Sequence, residues 1–408
     1  MHRPGRGFLN NPGPTNIPER VLQAMHRQAI DLVDEELIAV VERCFAGLKP
    51  IFGTTEGELF IYAANGHGGW EATIANVLDE GDKVLVPATG HFSTGWAETA
   101  EVFGIEAEIL DSDLRRSFDM DRLESRLKAD TAHTIKAVLL VHTDTSTGIK
   151  HDVAAARAAL DAAGHPALLM LDSVAALATT ETLMDAWGVD VCVSASQKGL
   201  MCPPGLAIVA ASPKAMAVHQ NVARARRYWD WSLRSSNIGY RTFCGTTPEH
   251  LLFGLDESLR LIAEETLPAI YRRHARLAGA VHAAVDRWAE AGAMENHAPV
   301  PADRSTGVTA IRLAEDIDPD ALRTTARLHW RTSIAGGLGP LRQHAFRIGH
   351  MGDMNEPMIL GALAGVEATL GELEIPHGRG GVEAAIGQLL AAGSAQASEK
   401  GDARTRAA

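Results

Sequence analysis

The chain reads as an α/β protein in two parts: a large domain whose mixed, mostly parallel sheet lies between helices, and a smaller C-terminal α+β domain. Three observations lead there. Short β-branched runs at 83–86, 136–141, 167–171, 189–193 and 206–209 alternate with helical stretches at 70–78, 121–127 and 152–163, the pattern of a sheet covered on both faces. Two long helical segments, 249–265 and 267–291, follow an aromatic loop at 227–247. Beyond them, strand and helix patterns recur at 308–313, 319–328, 345–349 and 356–370. Residues 1–16, rich in Gly, Pro and Asn, read as an extended arm that lies on another surface, and a first helix begins near Ile17-Pro18-Glu19-Arg20. The resulting division is an arm at 1–16, a large domain at 17–265, a small domain at 266–390 and a tail at 391–408. That tail is rich in Ala, Ser, Lys and Arg without periodicity, so disorder is expected there.

Composition narrows the function. With 408 residues, 46% hydrophobic and 22% charged, the chain suits a soluble globular protein. A formal charge of −13 repels nucleic-acid backbones and anionic lipids, and no Lys/Arg block overrides it locally. The four cysteines, Cys44, Cys192, Cys202 and Cys244, lack C-x-x-C spacing and read as buried thiols in a reducing compartment, with no metal site implied. No stretch approaches the ~18 apolar residues of a membrane span, and no leader pattern opens the chain. The expected location is the cytoplasm.

The chemistry gathers around 191–205, where a short apolar strand runs into a polar turn carrying Lys198 and then a Pro-Pro-Gly bend. A lysine in small apolar surroundings loses hydration and part of its preference for the charged form, which suits a Schiff-base nucleophile. On this segment alone it is equally readable as a solvated loop lysine. In an open α/β sheet, ligands sit at the carboxyl ends of strands, and the apolar run 167–171 leads directly into Asp172. A carboxylate there needs a cationic partner to offset its desolvation. It could cap the next helix, or it could sit beneath a protonated pyridine nitrogen and keep that ring an electron sink.

Asn65-Gly66-His67-Gly68-Gly69 precedes a helical stretch and offers backbone N–H groups to a phosphate, although taken alone a plain tight turn is the more ordinary account of it. Phe92, after the next strand, is an aromatic that could stack on a planar ring or fill core. The run Thr143-Asp144-Thr145-Ser146-Thr147-Gly148 is a hydroxyl-rich turn suited to hydrogen-bonding a ring oxygen or a substrate, or to capping its own loop.

With these features in this order, the sequence resembles the class V aminotransferases, which are fold-type I pyridoxal phosphate enzymes, and within them the serine–glyoxylate and alanine–glyoxylate types. The resemblance runs nearly end to end: N-P-G-P-T-N-I-P at 11–18, G-G-W-E-A at 68–72, T-S-T-G at 145–148, A-S-Q-K-G at 195–199, F-R-I-G-H-M-G at 346–352 and P-H-G-R-G-G-V at 376–382. No one of these motifs is decisive; in order over most of the chain they are specific. The resemblance implies pyridoxal 5'-phosphate as cofactor, held covalently by Lys198, which also shuttles the proton. It implies Asp172 at the pyridine nitrogen, Phe92 stacked on the ring and Thr145 near the ring oxygen. Gly68 and Gly69 match backbone phosphate donors, His67 stands where Ser or Thr is usual, and Gln197 matches a phosphate-side amide. Thr247 matches a threonine that reaches the phosphate of the other subunit, which implies a homodimer with shared sites. Arg347 matches the arginine that grips the substrate α-carboxylate, for which a planar fork is the appropriate donor.

The implied reaction is ping-pong transamination between a small amino acid and a 2-oxo acid such as glyoxylate or pyruvate. Departures from the family pattern bear on the donor. Asp31-Leu32-Val33-Asp34-Glu35 replaces a polar element expected near the substrate side, Thr246 stands where an aromatic is usual, and the segment 241–245 is longer. If Asp34 and Glu35 face the site, acidic donors are disfavoured and a serine- or alanine-like donor is expected. Two other readings remain: a lyase or desulfurase on the same scaffold, or a catalytically impaired binding protein. A desulfurase needs a cysteine on a mobile loop, and none follows Cys244. Retention of Lys198, Asp172 and Arg347 argues against an impaired protein.

Overall fold

The computed structural model describes residues 5–235 and 239–392. The tail expected from 391 lies, beyond residue 392, outside the described residues.

Seven strands form the large sheet, in the order Glu58–Ala63, Leu206–Ala211, Val191–Ala195, Leu168–Asp172, Ile135–Val141, Lys83–Pro87, Glu106–Leu110. Only Leu206–Ala211 runs against its neighbours; the other pairings are parallel. The central strands are buried along their whole length, as parallel strands covered on both faces must be. On one face Leu140, Leu169, Leu171 and Ile208 pack with the helices Glu35–Phe52, Met120–Ala129, Val153–Ala162 and Glu249–Glu265. On the other, Val84, Val86, Leu139 and Val193 meet the helices Gly66–Val77 and His91–Val102.

A second sheet of five strands runs in the order Phe8–Asn10, Thr332–Gly336, Ala345–Gly349, Val308–Leu313, Met294–Asn296. Its core, with Ile311, Phe346 and Ile348, is covered by Leu267–Trp288, Pro319–Leu328 and Glu356–Glu372. The expected arm finds its surface on its own chain: Phe8–Asn10 pairs parallel with Thr332–Ile334. The following residues are tied down by Thr15, whose N–H donates to Gln197 O at 3.3 Å and whose hydroxyl donates to Lys198 O at 3.1 Å.

The edge strands Glu58–Ala63 and Glu106–Leu110 and the helix Glu35–Phe52 were not expected from the sequence. No described helix is long and apolar enough to cross a membrane.

Candidate active site

The strands Glu58–Ala63, Lys83–Pro87, Ile135–Val141, Leu168–Asp172 and Val191–Ala195 all deliver their next residues to one cavity of about 270 Å³, at the strand ends where such sheets bind ligands. His67, Phe92, Thr145, Asp172, Gln197 and Lys198 line it together. A second cavity of about 370 Å³ shares Gly13, Phe92, Thr145 and Lys198 with the first and adds Arg347 and Arg323.

Lys198 lies in the turn three residues beyond Val191–Ala195, and its ammonium donates to the carbonyl of Pro12. Burial lowers its pKa to about 8; the Arg347 charge pushes the same way and Asp172 pulls against both. Asp172, the last residue of its strand, is 4% exposed. One of its oxygens accepts from the Val174 N–H at 2.8 Å and the other from the Trp70 indole N–H at 3.0 Å. Burial raises this carboxyl to about 6; those two hydrogen bonds oppose the rise, the Asp144 charge adds to it, and Lys198 lowers it.

Arg347 projects from the strand Ala345–Gly349 and is 6% exposed. Its Nε donates to Gly336 O at 2.6 Å and Nη1 to Thr145 O at 2.9 Å, which leaves Nη2 outside both bonds. Burial brings its pKa down to about 10, so it is a full cation at neutral pH.

The glycine segment departs from expectation. Gly66–Val77 is already helix from Gly66, with Asn65 as its N-cap accepting from His67 N at 3.1 Å and Gly68 N at 3.4 Å. Asn65, Gly66 and His67 therefore line the cavity, whereas Gly68 and Gly69 do not. The Gly69 N–H is committed to Asn65 O at 3.1 Å. A Cβ on Gly69 would meet Val193 Cγ1 at 2.7 Å, so its small size serves helix–sheet packing rather than a ligand. His67 packs edge-on to Trp70 with ring centroids 4.6 Å apart, and burial lowers its pKa, with His91 as a further cause.

Thr247 is buried but stands outside both cavities of its own chain. The segment 31–35 lies outside them as well. Asp34 caps the helix Glu35–Phe52 by accepting from Glu36 N at 2.8 Å, and Val33 is 72% exposed. Within the chain these residues present no charge to the site, so the expectation that they disfavour acidic donors loses its basis there. None of the four cysteines lines either cavity, and burial pushes the thiols of Cys44, Cys192 and Cys202 up, away from the reactive thiolate.

Trp70, which lines the cavity and donates to Asp172, the Pro12–Thr15 strap at Lys198, and Asp144, which accepts from the Phe92 N–H, adjoin the site but were not marked individually by the sequence. The indole in G-G-W-E-A was the available signal for Trp70, because a tryptophan one turn into a helix that starts at a strand end can reach a carboxylate at the end of another strand, here Asp172.

The cavity fits pyridoxal 5'-phosphate. It offers an amine of lowered pKa, a buried carboxylate with spare acceptor capacity, an aromatic wall in Phe92 and a helix start for a phosphate. The Gln197 side-chain oxygen in its wall is buried without a partner among the described residues.

The family model "Aminotransferase class-V" matches residues 7–327. The serine–glyoxylate aminotransferase of Methylorubrum extorquens is 38% identical over 373 residues, covering 90% of this chain and 92% of that protein. The L-aspartate–glyoxylate aminotransferase of Paracoccus denitrificans is also 38% identical, over 367 residues, covering 90% and 91%. Among solved structures, the ureidoglycine–glyoxylate aminotransferase of Bacillus subtilis superposes with a TM-score of 0.86 at 26% identity, covering 95% of this chain and 99% of that one.

Proposed function

Because the chain belongs to the class-V aminotransferases, which take pyridoxal 5'-phosphate, we propose that it transfers the amino group of a small α-amino acid of the serine or alanine type to a 2-oxo acid, with glyoxylate ahead of pyruvate. The observation that carries this reading is the convergence of Lys198, Asp172 and Arg347 on adjoining cavities that share Lys198. The names of the glyoxylate aminotransferases to which the chain is similar support glyoxylate as acceptor.

When bound, the cofactor supplies a carrier for the amino group and a sink for the electrons left at the substrate Cα. The chain's own residues do the rest. The Lys198 amine, at a pKa of about 8, is neutral often enough near pH 7 to act as a nucleophile and to take and return a proton. Asp172, ionised above about pH 6, holds its negative charge at the buried end of the cavity, where it favours a protonated ring nitrogen. Arg347 is pinned by two carbonyls and so presents its remaining edge in one orientation, suited to an α-carboxylate. Asn65–His67 present the start of a 12-residue helix, where a phosphate is favoured.

The second part of the proposal is a homodimer with shared sites in which Thr247 serves the neighbouring subunit's phosphate. Its support is that Thr247 is held outside its own chain's cavities at the head of Glu249–Glu265. A cytoplasmic setting fits four free cysteines.

The test is a panel of amino donors and 2-oxo acceptors, read by the exchange of aldehyde and amine cofactor spectra in each half-reaction. Serine or alanine should drive one half and glyoxylate the other, and Lys198→Ala should abolish both. No spectral exchange with any donor in the panel would overturn the proposal.

A further inference from the structure

A buried carboxylate outside the cavity ties its walls together. Asp144 is fully buried and accepts four hydrogen bonds. Oδ1 takes the Ser146 N–H at 2.9 Å and the Ser146 hydroxyl at 2.5 Å. Oδ2 takes the Phe92 N–H at 3.0 Å and the Thr89 hydroxyl at 3.3 Å. The Ser146 bonds close the turn that holds the Thr145 carbonyl against Arg347 Nη1. The Phe92 bond lies in the first turn of the 12-residue helix His91–Val102, where an N–H without an intrahelical partner and the helix dipole both favour an anion. A Cβ on Gly90 would stand 2.7 Å from Asp144 Cγ, so the two segments meet at the closest approach that glycine allows.

We propose that Asp144 is the positioning residue of this site, fixing where Phe92 faces the cofactor ring relative to where Arg347 receives the substrate carboxylate. This rests on the transaminase reading above. Four donors surround the group, and only an acceptor at both oxygens satisfies them; an asparagine would turn its NH₂ toward donors on one side. The Asp144 charge also favours the protonated form of Arg347, which burial and the Arg323 charge oppose. Asp144 touches neither cavity, and its effect passes through Phe92 and through the Thr145 carbonyl.

The test compares Asp144→Asn with Asp190→Asn in cofactor-loaded protein. Asp190 is also buried and accepts from Leu169 N at 2.8 Å, but it lies away from the cavities. For Asp144→Asn, KM for donor and acceptor should rise about tenfold with a smaller change in kcat, because displaced binding groups weaken capture before they weaken chemistry. The visible circular dichroism of the bound cofactor should weaken in parallel. Asp190→Asn should lower the melting temperature and leave KM and dichroism alone. Ser146→Ala removes one donor yet keeps the carboxylate, and should move KM and dichroism in the same direction by less.

If Asp144→Asn changes only thermal stability, as Asp190→Asn does, the proposal is overturned. Should Asp144→Asn not fold, unchanged KM and dichroism in Ser146→Ala overturn it. A wild-type protein that binds cofactor but transfers no amino group would defeat the transaminase reading instead, and the dichroism comparison would still decide the role of Asp144.

Discussion

Gly13 lies so close to Lys198 that a Cβ on it would stand 2.6 Å from the lysine's Cδ, Cε and Nζ. Its φ of +113° is also one that side chains rarely adopt. The residue before it, Pro12, takes the lysine's hydrogen bond, so the N-terminal strap is part of the site wall. Gly13→Ala should therefore displace the flexible end of Lys198 before it disrupts the fold. The expected result is a fall in kcat of about 10²-fold, the scale of a misplacement near 1 Å, with a melting temperature lowered by only a few degrees, on the order of a 1 kcal/mol change. Borohydride fixation of the cofactor followed by peptide mass spectrometry should show less label on Lys198. Wild-type kcat would mean that the strap does not constrain the lysine.

The sequence made the central strands legible because their apolar runs, several of them carrying Val or Ile, are continuous and are bounded by turn chemistry. Glu58–Ala63 was missed although four of its six residues are buried and Gly57 precedes it, since Leu-Phe-Ile-Tyr is an apolar run of four with a single β-branched residue, too short for periodicity to tell strand from helix. Glu106–Leu110 is an edge strand with no fully buried residue, so it has neither an apolar run nor a clean alternation. The site divided along similar lines. Asp172 ends a strand, and Lys198 and Phe92 stand a few residues beyond strands, so all three could be read from position, whereas the contribution of Pro12 to the Lys198 wall depends on a contact 186 residues apart in sequence. Gly68 and Gly69 were misplaced because a glycine run reads as a loop, whereas the Asn65 N-cap starts a helix at Gly66 and Gly69 packs closely on Val193.

Asp172 links cofactor binding to pH. Its folded-state pKa of about 6 lies above the ordinary 3.8. The native apo-protein therefore binds a proton more readily than the unfolded chain does, and the stability associated with that proton is present below 3.8 and lost as pH rises through about 6. Relative to Asp172→Asn, apo wild type should gain stability between pH 7.5 and 5, read as a higher melting temperature, by about 1.4 kcal/mol, roughly half of what a shift near two units yields in full below 3.8. In the loaded enzyme the order reverses at neutral pH, because the carboxylate then has a cation to face, and Asp172→Asn should lose activity by orders of magnitude. Activity within about tenfold of wild type, little more than one such unit, would remove Asp172 from this role.

Thr247 gives the subunit arrangement a direct test. Lys198→Ala and Thr247→Ala chains, mixed and allowed to exchange, form dimers in which one site carries both lesions and the other is intact, provided that each site borrows Thr247 from its neighbour. Activity after mixing should exceed the sum of the two separate preparations. Equality with that sum, or a monomer in sedimentation at assay concentration, would contradict shared sites.

Arg347 is tied to Gly336 O and Thr145 O, so a substitution there tests geometry as well as charge. Arg347→Lys keeps a cation but loses the planar fork and cannot hold both carbonyls while reaching a carboxylate. A charge-assisted hydrogen bond contributes about 1.5–3 kcal/mol, so Arg347→Ala should cut kcat/KM for serine, alanine and glyoxylate by about 10²-fold or more, and Arg347→Lys should fall between it and wild type. Amines lacking a carboxylate should react equally poorly with all three proteins, because the arginine has nothing to grip. Arg347 also helps hold the Lys198 pKa down. The rate at which apo-protein captures the cofactor should rise with pH through about 8 in wild type, since only the neutral amine attacks, and the midpoint should move to higher pH in Arg347→Ala. A variant that loses kcat/KM equally for carboxylates and carboxylate-free amines, with its capture midpoint unmoved, would show that Arg347 supports the fold rather than the substrate.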